Sequence, residues 1–225
     1  MTDKHLRADE VSVGYGRQLV LDTVTVRIGR GETVGLRGPS GCGKSTLVRV
    51  LALLHRPDRG RVSIDGTPVT GARYAVPAAL RTRVAALLQS PRAAADPRLS
   101  LTDLIAEPLR ATRTPEPTVR ERVAELADLV GLTADLRDRR PHAVSDGQLQ
   151  RACLARALAH RPDYLLCDEA TAMLDASTQA HVAAVIRDYQ RARGAGVLVI
   201  SHDQTLLDRW ADRIVDLAGA AVARP

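Results

Sequence analysis

The sequence is 225 residues long and predicts an α/β fold: a mostly parallel sheet, an N-terminal antiparallel β subdomain and an inserted helical block. Three observations predict it. Apolar residues alternate along the first part of the chain, as they do in half-buried strands. Between about residues 90 and 160 the apolar spacing becomes helical. After residue 160, short apolar strands alternate with helices, which is the order of a parallel sheet.

The strand signals come first. Alternating apolar runs at residues 11–15 and 24–28 predict two strands, and a short apolar run at 33–36 predicts a third. A later strand leads into Asp65-Gly66, a dipeptide typical of a two-residue hairpin turn. We therefore expect the antiparallel pairing in this part of the chain.

The other elements follow from apolar period and from flanking Gly or Pro. In the helical block, Val119, Val123, Leu126 and Val130 fall at helical spacing, and Gly131 is a plausible C-cap. The remaining expected elements are a helix at 44–54, a strand at 84–88, a loop at 111–118, a helix at 149–160, a strand at 164–167, a helix at 179–193 and strands at 197–200 and 214–217.

Composition and charge exclude several classes of protein. Hydrophobic residues make up 45% and charged residues 26%, which is ordinary for a globular chain. No apolar run approaches the roughly 18–20 residues that span a bilayer, and the charged residues 1–10 lack the apolar stretch of a signal peptide, so we expect a cytosolic chain. Three cysteines without C-x-x-C spacing fit a reducing compartment. The net charge of +6 comes from scattered arginines and aromatic residues are 2%, so we expect no nucleic-acid partner.

Residues 38–45 carry the strongest motif. They read Gly-Pro-Ser-Gly-Cys-Gly-Lys-Ser, which matches G-x-x-x-x-G-K-S between a strand and a helix and makes a chance glycine-rich turn improbable. Backbone N–H groups of such a phosphate loop wrap phosphate oxygens, Lys44 neutralises their charge, and Ser45 binds Mg²⁺. The predicted nucleotide-binding residues here are Gly38, Pro39, Ser40, Gly41, Cys42, Gly43, Lys44, Ser45 and Thr46.

Two carboxylates, Asp168 and Glu169, follow the apolar strand at 164–167. At the carboxyl end of a strand, Asp168 can reach the Mg²⁺ shell, and Glu169 can orient and deprotonate a water molecule aimed at the γ-phosphate. An acidic pair alone is more often a solvated strand end. With a phosphate loop upstream, we favour the catalytic interpretation.

Residues 145–148 read Ser-Asp-Gly-Gln before a helix. A capping box explains the S-x-x-Q pattern without any ligand. However, the motif lies 20 residues before the carboxylate strand and continues into a Gln-Arg, Ala-rich helix. Together with the phosphate loop, these residues resemble the ATP-binding subunit of an ABC transporter, whose signature reads L-S-G-G-Q where this chain has Val-Ser-Asp-Gly-Gln at residues 144–148, here called the signature segment.

The resemblance implies roles for further residues. Tyr15 would stack on adenine, although a half-buried strand tyrosine is the simpler alternative. Gln89 would contact Mg²⁺ or water and sense the membrane partner, and His202 would contact the γ-phosphate. The pair Leu174-Asp175 resembles the loop that crosses the dimer interface. The implied Mg²⁺ ligands are Ser45, Gln89 and Asp168, and the implied contacts to the partner's ATP are Ser145, Gly147 and Gln148.

A narrower resemblance is to the oligopeptide, dipeptide and nickel importer branch. Residues 89–98 and 106–109 carry it, and residues 147–158 look most like the second ATPase of nickel importers. The chain lacks the cysteine-containing C-terminal extension of many peptide-type members. The branch resemblance does not identify the solute.

The resemblance implies a P-loop NTPase (RecA-like) core in one ABC ATPase domain over residues 1–225. Residues of about 1–89 and 161–225 would form the β subdomain and core, and about 90–160 the helical subdomain. Two ATPase subunits, more plausibly a heterodimer than a homodimer, would close head to tail on ATP. They would drive two integral membrane permease subunits, indirectly served by a solute-binding protein, from the cytoplasmic face of the cell membrane as a peripheral component.

Asp146 departs from the family pattern, which has glycine there. A carboxylate near the partner's γ-phosphate would add like-charge repulsion, so we expect Asp146 to be a modest handicap unless it points to solvent. It also motivates one alternative function, a nucleotide-binding regulatory or assembly subunit with weak hydrolysis. A second alternative is a soluble ABC ATPase acting on DNA or ribosomes, which usually needs two ATPase cores or a long coiled coil.

Overall fold

The computed structural model describes residues 4–170 and 175–217. Its strands are β1 (His5–Tyr15), β2 (Gln18–Gly29), β3 (Thr33–Arg37), β4 (Arg59–Ile64), β5 (Thr67–Val69), β6 (Val84–Leu87), β7 (Tyr164–Asp168), β8 (Gly196–Ile200) and β9 (Arg213–Asp216). Its helices are α1 (Lys44–Leu51), α2 (Ala78–Arg81), α3 (Pro91–Ala94), α4 (Leu101–Ala111), α5 (Glu116–Leu129), α6 (Ala134–Arg137), α7 (Asp146–Ala157), α8 (Ala176–Arg193) and α9 (Gln204–Trp210).

The N-terminal strands form an antiparallel sheet in the order β2-β1-β4-β5. The β4–β5 hairpin turns at Asp65 and Gly66, whose φ angles of 49° and 80° are both positive, as a type I′ turn requires. The antiparallel part predicted from the sequence is therefore confirmed. Arg83 and Tyr164 both bond to the Asp65 carboxylate, which ties this hairpin to the second sheet.

The second sheet is parallel in the order β6-β7-β8-β3-β9, and its central strands β7, β8 and β3 are almost entirely buried. Because β3 and β7 run in the same direction, the segments that follow them emerge at the same edge. This parallel sheet, together with the helices and the antiparallel sheet, confirms the predicted α/β class.

Most of the helices lie between residues 90 and 160. Helices α4, α5 and α7 bury Leu104, Ile105, Val119, Leu126 and Leu149 in one apolar cluster with residues from β7 and β8. All three cysteines are buried and free. In the part of the chain that is described, no helix is at once long enough and apolar enough to cross a membrane.

Several helix ends differ from their predicted positions because local caps decide them. Helix α1 ends at Leu51, not 54, since Leu53 adopts a left-handed φ of 61°. The loop expected at 111–118 is only 112–115, because Pro117 lies in the first turn of α5, where the missing N–H costs nothing. Helix α8 begins at Ala176, three residues before the expected position, because Asp175 caps it, and α7 spans 146–157 instead of 149–160.

Candidate functional site

The phosphate loop joins the end of β3 to the start of α1. Three of its glycines have positive φ: 155° at Gly38, 79° at Gly41 and 97° at Gly43. A Cβ on Gly43 would lie 2.6 Å from Leu21 on the neighbouring strand β2. Glycine is needed here for both conformation and space, because an L side chain rarely adopts this φ.

Lys44 is nearly buried, with 7% of its surface exposed. Its Nζ donates hydrogen bonds to the carbonyl oxygens of Gly38 at 2.7 Å and Pro39 at 2.9 Å. The ammonium group therefore lies against the backbone of the phosphate loop. A cation in this position, beside N–H groups at a helix start, makes the loop suited to an anion.

Asp168 ends β7 and has 5% of its surface exposed. Burial raises the pKa of its carboxyl, while a hydrogen bond from the Ser45 hydroxyl lowers it and the neighbouring Glu169 charge raises it further. The predicted pair Ser45 and Asp168 is thus brought together in the fold. A buried carboxylate beside a hydroxyl is a donor pair that a hard cation would favour.

We predict that Asp168→Asn stabilises the nucleotide-free chain. The amide is nearly isosteric and carries no charge to bury, so the thermal unfolding midpoint should rise, by about 2–4 °C for each kcal/mol gained. Scanning fluorimetry without nucleotide or divalent cation measures the shift. The exposed Asp188→Asn on α8 is the matched control and should leave the midpoint unchanged. An equal or lower midpoint for Asp168→Asn would show that burial of this charge does not destabilise the chain.

Glu169 is the centre of a three-residue cluster. The Gln89 Nε2 donates to Glu169 Oε2 at 2.7 Å, and the Nε2 of His202 lies 2.7 Å from Oε1. Glu169 has a positive φ of 50°, and its N–H donates to the Ile200 carbonyl at 3.1 Å. Three strand ends, those of β6, β7 and β8, therefore bring together the residues predicted as the catalytic group. The His202 side chain is 57% exposed and the Glu169 side chain 12%, so the cluster is open to solvent on the histidine side.

Tyr15 ends β1 and has 46% of its surface exposed. Its ring centroid lies 5.6 Å from that of His55, with the planes tilted by 37°. Nearly half of the Tyr15 surface is thus exposed at the end of a strand, in line with the simpler alternative of a half-buried strand tyrosine. The exposed part of the ring is available to an aromatic base, and that role stays a prediction.

The signature segment leads into α7 through a capping box. The Ser145 hydroxyl accepts from the Gln148 N–H at 3.2 Å, and the Gln148 Oε1 accepts from the Ser145 N–H at 2.9 Å. A Cβ on Gly147 would lie 3.1 Å from Thr178 on α8. The capping box predicted as an alternative is therefore present, and contacts to a second chain's nucleotide stay a prediction. Leu174, predicted beside Asp175 at a dimer interface, lies outside the described residues.

Asp146 does not stand unpaired. Its Oδ1 lies 2.7 Å from the Nη2 of Arg92, which follows Gln89 by three residues. The carboxylate is half-exposed. Because the Arg92 guanidinium carries the opposite charge, it partly offsets the repulsion expected between Asp146 and a phosphate, and the sequence did not predict this contact. Arg92 and Asp146 are 54 positions apart, and no local pattern connects them.

The profile of the family described as ABC transporter matches residues 21–172. The chain is 42% identical over 198 residues to the nickel import ATP-binding protein NikE of Brucella suis biovar 1 (strain 1330). These residues make up 88% of this chain and 74% of that protein.

Solved structures show the same architecture. The dimeric post-hydrolysis structure of the ATP-binding cassette MJ0796, bound to ADP and Pi, superposes with a TM-score of 0.85 at 27% identity, covering 97% of each chain. The cbiO1 protein of Clostridium perfringens, part of the ABC transporter complex cbiONQ, superposes with a TM-score of 0.80 at 26% identity, covering 95% of this chain and 84% of that one.

Proposed function

The chain belongs to the ABC transporter family of ATP-hydrolysing proteins, and we propose that it energises the import of nickel or a nickel complex. The family membership predicted from the motifs is confirmed. The observation that carries the proposal is the cluster of Glu169, Gln89 and His202 beside a phosphate loop. The similarity to nickel import proteins supports nickel as the solute, whereas a peptide cargo rests on the branch resemblance alone.

Each residue of the cluster has a physical role in hydrolysis. Glu169 is a carboxylate with one oxygen toward Gln89 and the other toward His202, so it can accept the proton of an attacking water. Lys44 and the loop N–H groups stabilise the charge that develops on the phosphates. We propose that His202, on the solvent side, contacts the terminal phosphate.

The donor set fits Mg²⁺. The Ser45 hydroxyl, the Asp168 carboxylate and the Gln89 amide supply oxygen ligands, which Mg²⁺ prefers together with water and substrate phosphates. Among the described residues there is no cluster of three or more His, Cys, Asp and Glu able to hold a metal. Mg²⁺ would supply neutralisation of phosphate charge, and Asp168 and Ser45 would hold it.

We propose that two ATPase chains close head to tail, as the resemblance to ABC transporter ATP-binding subunits implies. The first-turn N–H groups of α7, with the Ser145 hydroxyl, would face the nucleotide of the other chain, because a helix N-terminus favours anions. Ser145 could keep its capping bond on closure, because its hydroxyl oxygen accepts from the Gln148 N–H while its proton stays free to donate to phosphate. A different second chain, as in the peptide and nickel branch, is our preferred partner.

A groove of about 540 Å³ lies between the edge strand β6 and helices α4 and α7. Apolar residues line it together with Arg73 and Arg81, and Tyr74 in the lining is 89% exposed. Arg156 also lines the groove but is paired with Glu107 at 2.8 Å. These features suit a segment with an apolar face and an acidic residue. We propose that a membrane permease subunit supplies that segment, which would hold the chain at the cytoplasmic face of the membrane. The assembly of cbiO1 in a transporter complex supports this kind of partner.

Tyr15→Ala should raise the KM for ATP and change kcat little. Stacking of a base on an aromatic side chain contributes about 1–3 kcal/mol, which corresponds to roughly a 5- to 150-fold loss of affinity. Steady-state hydrolysis by the assembled complex measures both constants. Tyr15→Trp is the matched control and should keep the parental KM. An unchanged KM in Tyr15→Ala would mean that the tyrosine is only a strand residue.

The proposed function is tested by two measurements on the full chain. The tagged chain should co-purify with an integral membrane protein from detergent-solubilised membranes, and that complex should hydrolyse ATP. A strain without the chain should lose nickel uptake, and the parental gene, but not a Lys44→Ala version, should restore it. Recovery of the chain without any membrane protein would favour a soluble ABC ATPase. A complex that binds ATP without hydrolysing it would favour the regulatory alternative that Asp146 suggests.

A further inference from the structure

Arg92 makes three contacts to one short stretch of chain. Its Nη1 donates to the Pro141 carbonyl at 2.9 Å and its Nη2 to the Val144 carbonyl at 3.1 Å, while Nη2 also lies 2.7 Å from the Asp146 carboxylate. Both side chains of the ion pair are about half-exposed, at 47% for Arg92 and 52% for Asp146. The one guanidinium therefore contacts the backbone just before Ser145 and pairs with the Asp146 carboxylate just after it.

The same arginine is close in sequence to the hydrolytic cluster. Gln89, which donates to Glu169, is three residues before Arg92, and Ser90 between them caps α3 through the Ala93 N–H. Helix α3 is further fixed to α7, because Arg156 donates to the Ala94 carbonyl at 2.9 Å. Four consecutive residues, 89–92, thus run from the Glu169 cluster to the signature segment.

We propose that Arg92 is a positioning residue that allows this chain to function with an aspartate in its signature segment. This inference rests on the proposed function. Arg92 neutralises Asp146 and draws its carboxylate toward α3. The N–H groups that follow then face the partner chain's γ-phosphate without a like charge beside them. It also fixes the path of the backbone into Ser145.

The Arg92–Asp146 pair should affect activity more than an ordinary surface ion pair, because of where its charges lie. An exposed ion pair alone contributes little to stability, because water and salt screen it. Next to bound nucleotide the situation changes, since an unpaired carboxylate there would repel phosphate in a partly dehydrated interface. Removal of Arg92 should therefore be harmful chiefly because it leaves Asp146 unpaired. Removal of both side chains restores the glycine of the family pattern and should be less harmful.

The test is a double-mutant cycle on the assembled transporter complex. Arg92→Ala should lower kcat at least about fivefold, and Arg92→Ala with Asp146→Gly should recover most of that loss, a non-additivity expected only for groups that interact. Asp146→Gly alone should raise kcat modestly, because it removes the remaining like charge while Arg92 keeps both carbonyl contacts. The Arg92→Ala defect should shrink as salt rises from about 0.1 to 0.5 M, since screening weakens the repulsion. Arg92→Lys should retain more activity than Arg92→Ala.

Controls separate a positioning role from a structural one. Arg110→Ala is matched, because Arg110 is 44% exposed and pairs with Asp103 and Glu116 away from the signature segment. It should keep the parental kcat and salt dependence. An Arg92→Ala complex as active as the parent, or one that Asp146→Gly fails to rescue, overturns the inference. If Arg92→Ala does not fold, Arg92→Lys and the double variant still decide it. A parental complex that hydrolyses no ATP would overturn the proposed function itself, which is a different outcome.

Discussion

Glu169→Gln should leave ATP bound and reduce hydrolysis by about 10²–10⁴-fold, the range that a general base contributes. The side-chain amide is nearly isosteric with the carboxylate. Its oxygen can still accept from Gln89, and its NH₂ can donate to the Nε2 of a neutral His202, so the cluster keeps its geometry. It cannot accept a proton from water. Single-turnover hydrolysis and equilibrium nucleotide binding, measured on the same preparation, separate the two effects.

The matched control is Glu121→Gln, an isosteric change at an exposed position of α5. It should hydrolyse ATP at the parental rate. Complexes carrying Glu169→Gln should also accumulate in the ATP-bound closed form, visible as a nucleotide-dependent change in hydrodynamic size. Parental turnover by Glu169→Gln would show that another group takes the proton and would remove the central role given to this cluster.

Lys44→Ala should abolish measurable ATP binding at micromolar nucleotide. A hydrogen bond to a charged group contributes about 1.5–3 kcal/mol, so loss of the one ammonium group in the loop should weaken binding by roughly 10- to 150-fold or more. The variant also removes the two contacts to Gly38 and Pro39, so the empty loop itself should be less ordered. Fluorescent-nucleotide titration gives the affinity, and near-ultraviolet circular dichroism checks the fold.

The sequence offers a natural control, because Lys4 is its only other lysine. Lys4 is exposed and immediately precedes β1, and Lys4→Ala should bind ATP as the parent does. Lys44→Arg keeps the charge, but its larger planar head does not fit between two carbonyls, so binding should remain impaired. Retained affinity in Lys44→Ala would mean that the phosphate loop binds by its N–H groups alone.

The parts of the site that the sequence predicts are the local ones. The phosphate loop is a contiguous run whose glycines are required by positive φ angles, and the β4–β5 hairpin depends on the dipeptide Asp65-Gly66. Family resemblance, not spacing, predicts roles for Gln89 and His202, which join Glu169 from strands far apart in the chain. Arg92 lies in the run that carries the branch resemblance, but no pattern predicted its contacts, because its partners lie some 50 residues later and the pairing depends on how α3 packs on α7.

Helix ends illustrate the same limit on a smaller scale. Apolar periodicity predicts the interior of α8 but not its start, which Asp175 decides by accepting hydrogen bonds from the Ser177 and Thr178 N–H groups. Helix α4 was missed as a separate element, since Pro108 lies inside it and its N-cap Ser100 precedes an unremarkable sequence. Side-chain caps and tertiary packing override the periodic signal in both places.

Helix α7 is held on two sides. Gln150 near its start donates to the Ala170 carbonyl at 2.7 Å, one residue beyond Glu169, and Arg156 near its end holds α3. A helix of twelve residues is about 18 Å long, and bonds at both ends leave it little freedom to bend. We therefore expect α7 to move as one rigid element, so that a displacement imposed at the groove between β6 and α7 would be passed on to Ser145.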